Sequence, residues 1–402
     1  LQSRFCFIKN TFGIFLLLIL PFFKKYDTIP LICFLGKEIF MKKCKILPFV
    51  LAVTLLMAGC GQTAPVSSAP EAPASSAPVS SQSQNEGNPK NMDFLTGLGT
   101  LTDGAVGKRP VAVMVNNLVD SLPQYGVSDA DVIFEIPVED NITRLMAMYG
   151  DYTKVPKICS LRSCRYYYPI LAVGFDAFYV HWGQDPGMAQ QVLNTLDIDH
   201  LNGTENTYGL YGRDQARLNN GMSLEHTGYF DGTGLAAALK ENGVRTDLKS
   251  EKNGPAFSFQ SGTKLIKPNG NACTKMNVQF GQGDYFSTFT YDSKTGTYLK
   301  QHNGKPHVDG VTGIQLSFTN VIVLETDISQ MDNTGHKSVN WKGGKGTYKG
   351  YYLSDGVVQS ITWEKTGEYD YLKFYDDSGK ELKLNRGKTY IALNYPGYVT
   401  CS

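Results

Sequence analysis

Two patterns of apolar and polar residues divide the chain. Up to about residue 250, short apolar runs alternate with longer amphipathic stretches. "PVAVMVNN", "ADVIFEIPVED", "ITRLMAMYG" and "VPKICSLRS" are too short for helices and predict four strands. "DAFYVHWG" predicts a fifth. Helices are expected between them. One would run through "CRYYYPILAVGF" with Ser163 as its cap, bent or delayed by Pro169. Asp185-Pro186 would open "PGMAQQVLNTL". Asp231 would cap "GTGLAAALKENG", and Gly243 would close it.

From about Asn277 the pattern changes. Tyr-, Thr- and Val-rich segments are separated by hairpin punctuation: "SKTG", "NGK", "SDG" and "DSGK". The expected fold class is therefore α+β. A mixed α/β layered domain over residues 93–250 is followed by a mainly antiparallel β domain over residues 251–402. The polar "DLKSEKNGP" marks the junction, within residues 245–280, as an early site of proteolysis.

What precedes the body sets its location. "MKKCKILPFVLAVTLLMAGCGQ", from Met41, has a basic start, an apolar run and small residues before Cys60, the pattern of a secretory signal. Its end, "LMAGC", is similar to the bacterial lipobox, which implies lipidation of Cys60 after removal of residues 41–59. Residues 1–40 carry a separate apolar run of about twelve residues, where a spanning helix needs roughly twenty. A second export signal ahead of a complete one has no physical use. Translation is expected to start at Met41, with residues 1–40 an over-extended reading frame. Residues 60–92, dominated after Cys60 by Ser, Ala and Pro, read as a disordered tether.

Charge narrows the partners. Of 38 Lys/Arg and 37 Asp/Glu, 8 and 2 lie before Cys60, which leaves 30 and 35 and a net charge of −5. Nucleic acid needs a concentrated basic footprint and is not expected as a partner. The expected partners are the membrane, through the lipid anchor, and a cell-wall polymer or envelope protein. Four cysteines follow Cys60: Cys159, Cys164, Cys273 and Cys401. Their spacing is not that of a zinc site. Cys159 and Cys164 could bridge across a turn, or be small buried hydrophobes.

"RPVAVMVNN", "PQYGVSDADVIFEIPVEDNITRLMAMY" and "SLRSCRYYYPILAVGFDAFYVHWG" resemble the N-terminal part of YerB-type bacterial lipoproteins. "NGKPHVDGVTGIQLSFTNVIVLETDI", "SDGVVQSITWEK" and "LNRGKTYIAL" resemble the C-terminal part. The resemblance implies an exported, membrane-tethered, two-part protein and supplies no reaction. The family's Arg-Ser-Ala-Arg appears here as Arg162-Ser163-Cys164-Arg165. Its small-polar-Gly-Gly stretch appears as Glu139-Asp140-Asn141, and its His-Asn-x-Tyr as His226-Thr227-Gly228-Tyr229.

The candidate chemistry gathers around arginines. Arg144, Arg162, Arg165 and Arg213 could present planar forks to a carboxylate or phosphate in a cleft at the strand ends. Ser163 lies between two of them, Tyr166 would supply aromatic wall, and His181 and His226 titratable groups. Glu135 and Glu139, four residues apart on one strand, would share a face, and Arg144 on a paired strand could meet one of them. The bland alternative is a cross-strand ion pair that fixes register. The expected function is a non-catalytic binding or scaffold protein at the outer face of the cell membrane. A cell-wall hydrolase or transferase with Glu135, Glu139 or His181 as acid–base residues is the alternative. "SLRSCR" is partly similar to the L,D-transpeptidase nucleophile motif but lacks its His and Gly. His302 and His307, and Asp197, Asp199 and His200, read as surface loop residues. No metal or cofactor is expected.

Overall fold

An eleven-stranded sheet passes through both halves of the body. The computed structural model describes residues 88–402, besides a short pairing of Lys9–Asn10 with Gly13–Ile14. The start at Met41, Cys60, residues 1–40 as a leader and most of the tether lie outside the described residues. In chain order the strands are β1 (Val111–Asn116), β2 (Val132–Glu139), β3 (Ile142–Tyr149), β4 (Phe178–His181), β5 (His200–Asn202), β6 (Asn271–Ala272), β7 (Asn320–Glu325), β8 (Gly343–Ser354), β9 (Val357–Lys365), β10 (Lys373–Tyr375) and β11 (Thr389–Asn394). Across the sheet they run β6-β9-β8-β7-β11-β2-β3-β1-β4-β5, and β10 pairs with β9.

The halves meet at β11 and β2. These strands pair in parallel, from Thr389 opposite Val132 to Ala392 opposite Glu135. A strand at the end of the chain thus lies between β7 and the first half. Both faces of the central strands are covered, which is why "VAVMVN" and "NVIVLE" are apolar throughout rather than alternating. One face packs under the helix α1 (Tyr167–Gly174), all of whose residues are buried. There Met114, Phe134, Ile136, Met146, Ile322 and Ile391 join one core with residues of both halves. The other face packs against α3 (Leu235–Glu241) and a second, six-stranded sheet that begins at Lys275 and ends at Cys401.

The α+β class read from the sequence stands, as do most elements. Helix α1 begins at Tyr167 rather than at a Ser163 cap, because Tyr166 already has helical dihedrals and Ser163 belongs to the preceding extended segment. α2 spans Met188–Thr195. Asp231 caps a short turn ahead of α3 through the Thr233 N–H, and Gly243, at φ +64°, closes that helix. "NGK" and "SDG" form tight turns because Asn303-Gly304 and Asp355-Gly356 all take positive φ. A disulfide joins Cys273 to Cys401, while Cys159 and Cys164 are free and buried.

Candidate functional site at the strand ends

The parallel strands β1, β2, β4 and β5 all finish on one edge of the sheet, at Asn116, Glu139, His181 and Asn202. The segment Leu161–Cys164 crosses this edge. It is held by Arg162 N–H to the Met114 carbonyl at 3.2 Å, Trp182 N–H to the Arg162 carbonyl at 3.1 Å, and Cys164 N–H to the Gly183 carbonyl at 2.9 Å. This placement brings the arginines to the strand ends. It also sorts the candidate residues into three groups.

The first group is closed on itself. Arg144 donates to both oxygens of Glu139, at 3.0 and 3.1 Å, and to the Ser163 carbonyl at 2.6 Å. Arg165 donates to the same carboxylate and to the Cys164 carbonyl. Arg144 is 4% exposed and Arg165 9%, so Glu139 is the counter-charge of two buried guanidinium groups. His336, from the second half, lies 3.9 Å from Glu139. Tyr166 is buried nearby and donates to the Val339 carbonyl at 2.8 Å, so it is not an open aromatic wall.

Glu135 forms the second group, on the other face of the sheet. The register of β2 against β3 shifts between Pro137 and Glu139, so the two glutamates do not share a face as their spacing suggests. Glu135 is wholly buried. It accepts from Asn117 and Thr143 on one oxygen and from Ser287 and Tyr390 on the other, with the Lys300 ammonium at 3.2 Å. Burial works against its charge, but Lys300 and these donors outweigh it and hold its pKa below the usual range. Lys300 donates to His307 Nδ1 (3.0 Å), so His307 must donate from Nε2 to Gln124 (2.8 Å). Gln124 in turn donates to Asn117 (3.3 Å), which closes a ring across the two halves. His302 and His307 are therefore core residues, not surface loop residues. Both lie where the buried face of an alternating strand and its return meet the polar ring.

The third group faces solvent. Arg162 is partly exposed, with its Nη1 2.9 Å from a Glu225 oxygen. Arg213 lies with its guanidinium 4.1 Å from the Trp182 ring centre and donates to the Leu224 carbonyl at 2.6 Å. His226 is buried beneath them. Its Nδ1 is 3.0 Å from the Asn116 amide nitrogen, whose oxygen accepts from Leu118 N–H. Nδ1 is then the acceptor, and Nε2 carries the proton and points toward Glu225 at 3.8 Å. His181 stands apart: it bonds the Gly183 carbonyl and His200, and burial pushes its pKa down to about 4. Burial also pushes the Cys159 and Cys164 thiols up to about 11 and about 12, which keeps both from acting as thiolates.

Trp182, Asn116 and Glu225 were not apparent in the sequence as site residues. The Asn116-Asn117 pair at the end of an apolar strand was the available signal, because it leaves two amides where the strand reaches the edge. Lys300 had a fainter one: it alternates with Tyr298, and both face inward.

A two-part α+β body, with both sequence halves in one sheet and an arginine-bearing edge, is the class that fold and site define. The chain belongs to the family of proteins of unknown function called DUF3048. Residues 95–245 match its N-terminal domain and residues 276–391 its C-terminal domain. Among relatives, "Putative lipoprotein YerB" of Bacillus subtilis (strain 168) is 29% identical over 303 residues, covering 74% of this chain and 85% of that protein. The crystal structure of YerB from Bacillus subtilis matches with a TM-score of 0.66 at 26% identity, over 77% of this chain and 98% of that one. The YerB-type resemblance read from the sequence is borne out.

Proposed function

We propose that this protein is a lipid-anchored binding protein of the cell envelope, which holds an anionic group at Arg162, Arg213 and His226. The arrangement of those side chains carries the reading. Two partly exposed guanidinium groups and a buried imidazole N–H converge on one short exposed turn, and their own partners there are a solvent-exposed carboxylate and a carbonyl. Such partners are weakly held, so a ligand can compete for the forks. Arg144 and Arg165 are already spent on Glu139 and are not offered to a ligand. The anchor is Cys60, and the lipoprotein relative supports it. The roughly thirty-residue tether reaches about 30 Å as a coil, enough to hold the body off the membrane.

Glu135, one of the acid–base candidates of a hydrolase or transferase, is enclosed and takes four hydrogen bonds besides its lysine, so it has no path to a substrate. Two measurements test the proposal with the full chain. Cys60→Ala should move the protein from the membrane fraction to the soluble one. Purified cell walls should retain the wild-type chain in co-sedimentation and lose the Arg162→Ala/Arg213→Ala double variant. Equal retention of the two would refute the arginine site.

A further inference from the structure

The carboxylate of Glu225 occupies the place that the proposed site offers to a ligand. One oxygen lies 2.9 Å from Arg162 Nη1. The other lies 3.8 Å from His226 Nε2 and 3.5 Å from the Ser223 hydroxyl. The backbone of the turn that carries Glu225 is anchored at its base and, through the Leu224 carbonyl, by Arg213 and the Thr227 hydroxyl. Arg217 donates to the His226 carbonyl at 3.2 Å, Asp214 N–H to the Thr227 carbonyl at 2.8 Å, and Asn116 holds the His226 ring. At its tip Leu224 is 59% exposed and the Glu225 side chain 50%. Rotation of one side chain would empty the fork without moving the backbone.

We infer that Glu225 is a resident stand-in for the ligand, and that the ligand group is itself a carboxylate, which displaces it. This rests on the anion-site reading above and adds the ligand class and a built-in competitor. The geometry supports a carboxylate over a bulkier anion. Arg162 and Ser223 address the two oxygens of one planar group, His226 Nε2 stands 3.8 Å from one of them, and Arg213 is turned to the Leu224 carbonyl beside it. An exposed ion pair contributes little, so displacement costs little. The competitor would keep the fork from taking up weak anions while yielding to a ligand that also contacts Trp182 and Leu224.

The test uses the full chain and acetyl-glutamate amide, which reproduces the Glu225 side chain, with acetyl-glutamine amide and inorganic phosphate as comparators. Binding is read from the indole N–H resonance of Trp182, assigned with Trp182→Phe. Glu225→Ala should bind acetyl-glutamate amide about five-fold more tightly than wild type. Adding Arg162→Ala should abolish the gain, and the glutamine analogue should not bind. Equal affinity of wild type and Glu225→Ala would overturn the stand-in while leaving the anion site intact. Preference for phosphate over the carboxylate would overturn the ligand class. No binding of any anion by either protein would overturn the site itself. Because Glu225 is half exposed, melting temperatures should match, and a mismatch would show that the turn is structural and overturn the inference.

Discussion

Glu135 and Lys300 meet at 3.2 Å with neither side chain exposed to water, one from the first half of the chain and the other from the second. A buried pair of this kind is weak evidence of net stabilisation, but breaking it is costly. Lys300→Met leaves the Glu135 charge buried with neutral donors alone. It should destabilise the protein by about 3–5 kcal/mol in urea unfolding. Because the pair lies between the halves, the loss should appear in a single transition, not in one half.

The shared sheet also changes what proteolysis should do. The segment around residues 261–270 is exposed, while Ala256, Phe257 and Cys273 on either side are buried. A cut there is expected, but β2 and β11 stay paired across the break. Nicked protein should elute as one species in native gel filtration and separate only in denaturant, without need of reductant, because Cys273 and Cys401 both lie beyond the cut. Separation of the fragments without denaturant would contradict the shared core.

Much of this fold was legible because it is local. Apolar runs such as Val111–Asn116 need two covered faces, and Asn-Gly or Asp-Gly between strands calls for a tight turn. The path of β11 into the first half was not legible, since pairing partners 257 residues apart leave no local mark. The arginines were found, but their division was not. A register shift at Pro137 decides that Glu139, and not Glu135, meets Arg144. Burial decides which guanidinium groups remain available, and both depend on tertiary packing.

Stability should depend on pH in a way set by two buried groups of opposite sense. Burial, then the neighbouring Asp131, pushes Asp93 up to about 8, and burial pushes Asp131 up to about 6. An unfolded Asp titrates near 3.9, so the folded state holds the extra protons and loses stability as pH rises through 6 and 8. His181 and His302 are pushed down to about 4, both first by burial. Their contribution is full above about pH 6.5 and is lost as pH falls toward 4. The two effects oppose each other between about pH 4 and 6. Above that range Asp93 dominates, with a fall of roughly 1 kcal/mol per pH unit, until Lys365, which burial pushes down to about 7, acts in the opposite sense. Asp93→Asn should flatten the fall of a melting-temperature profile above pH 6 and steepen its rise between about pH 4 and 6, where Asp131 alone then opposes the histidines.

The Cys273–Cys401 disulfide closes a separation of 128 residues and ties the last strand to the second sheet. Cys401→Ser should lower unfolding stability by about 2–4 kcal/mol. Reductant should have the same effect on wild type and none on the variant. A variant as stable as wild type would mean that the strand Val399–Cys401 is held by pairing alone.

The arginines are divided: Arg144 and Arg165 are held by Glu139 inside the protein, and Arg162 is held loosely by Glu225 at its surface. Equilibrium unfolding of Glu139→Gln beside Glu225→Gln tests this most directly. Glu139→Gln leaves two buried guanidinium groups without a counter-charge and should lose about 3–5 kcal/mol. Glu225→Gln frees a partly exposed one and should change stability by less than about 1 kcal/mol. Equal losses in the two variants would mean that Arg162 is structural as well, and would contradict the division on which the binding site depends.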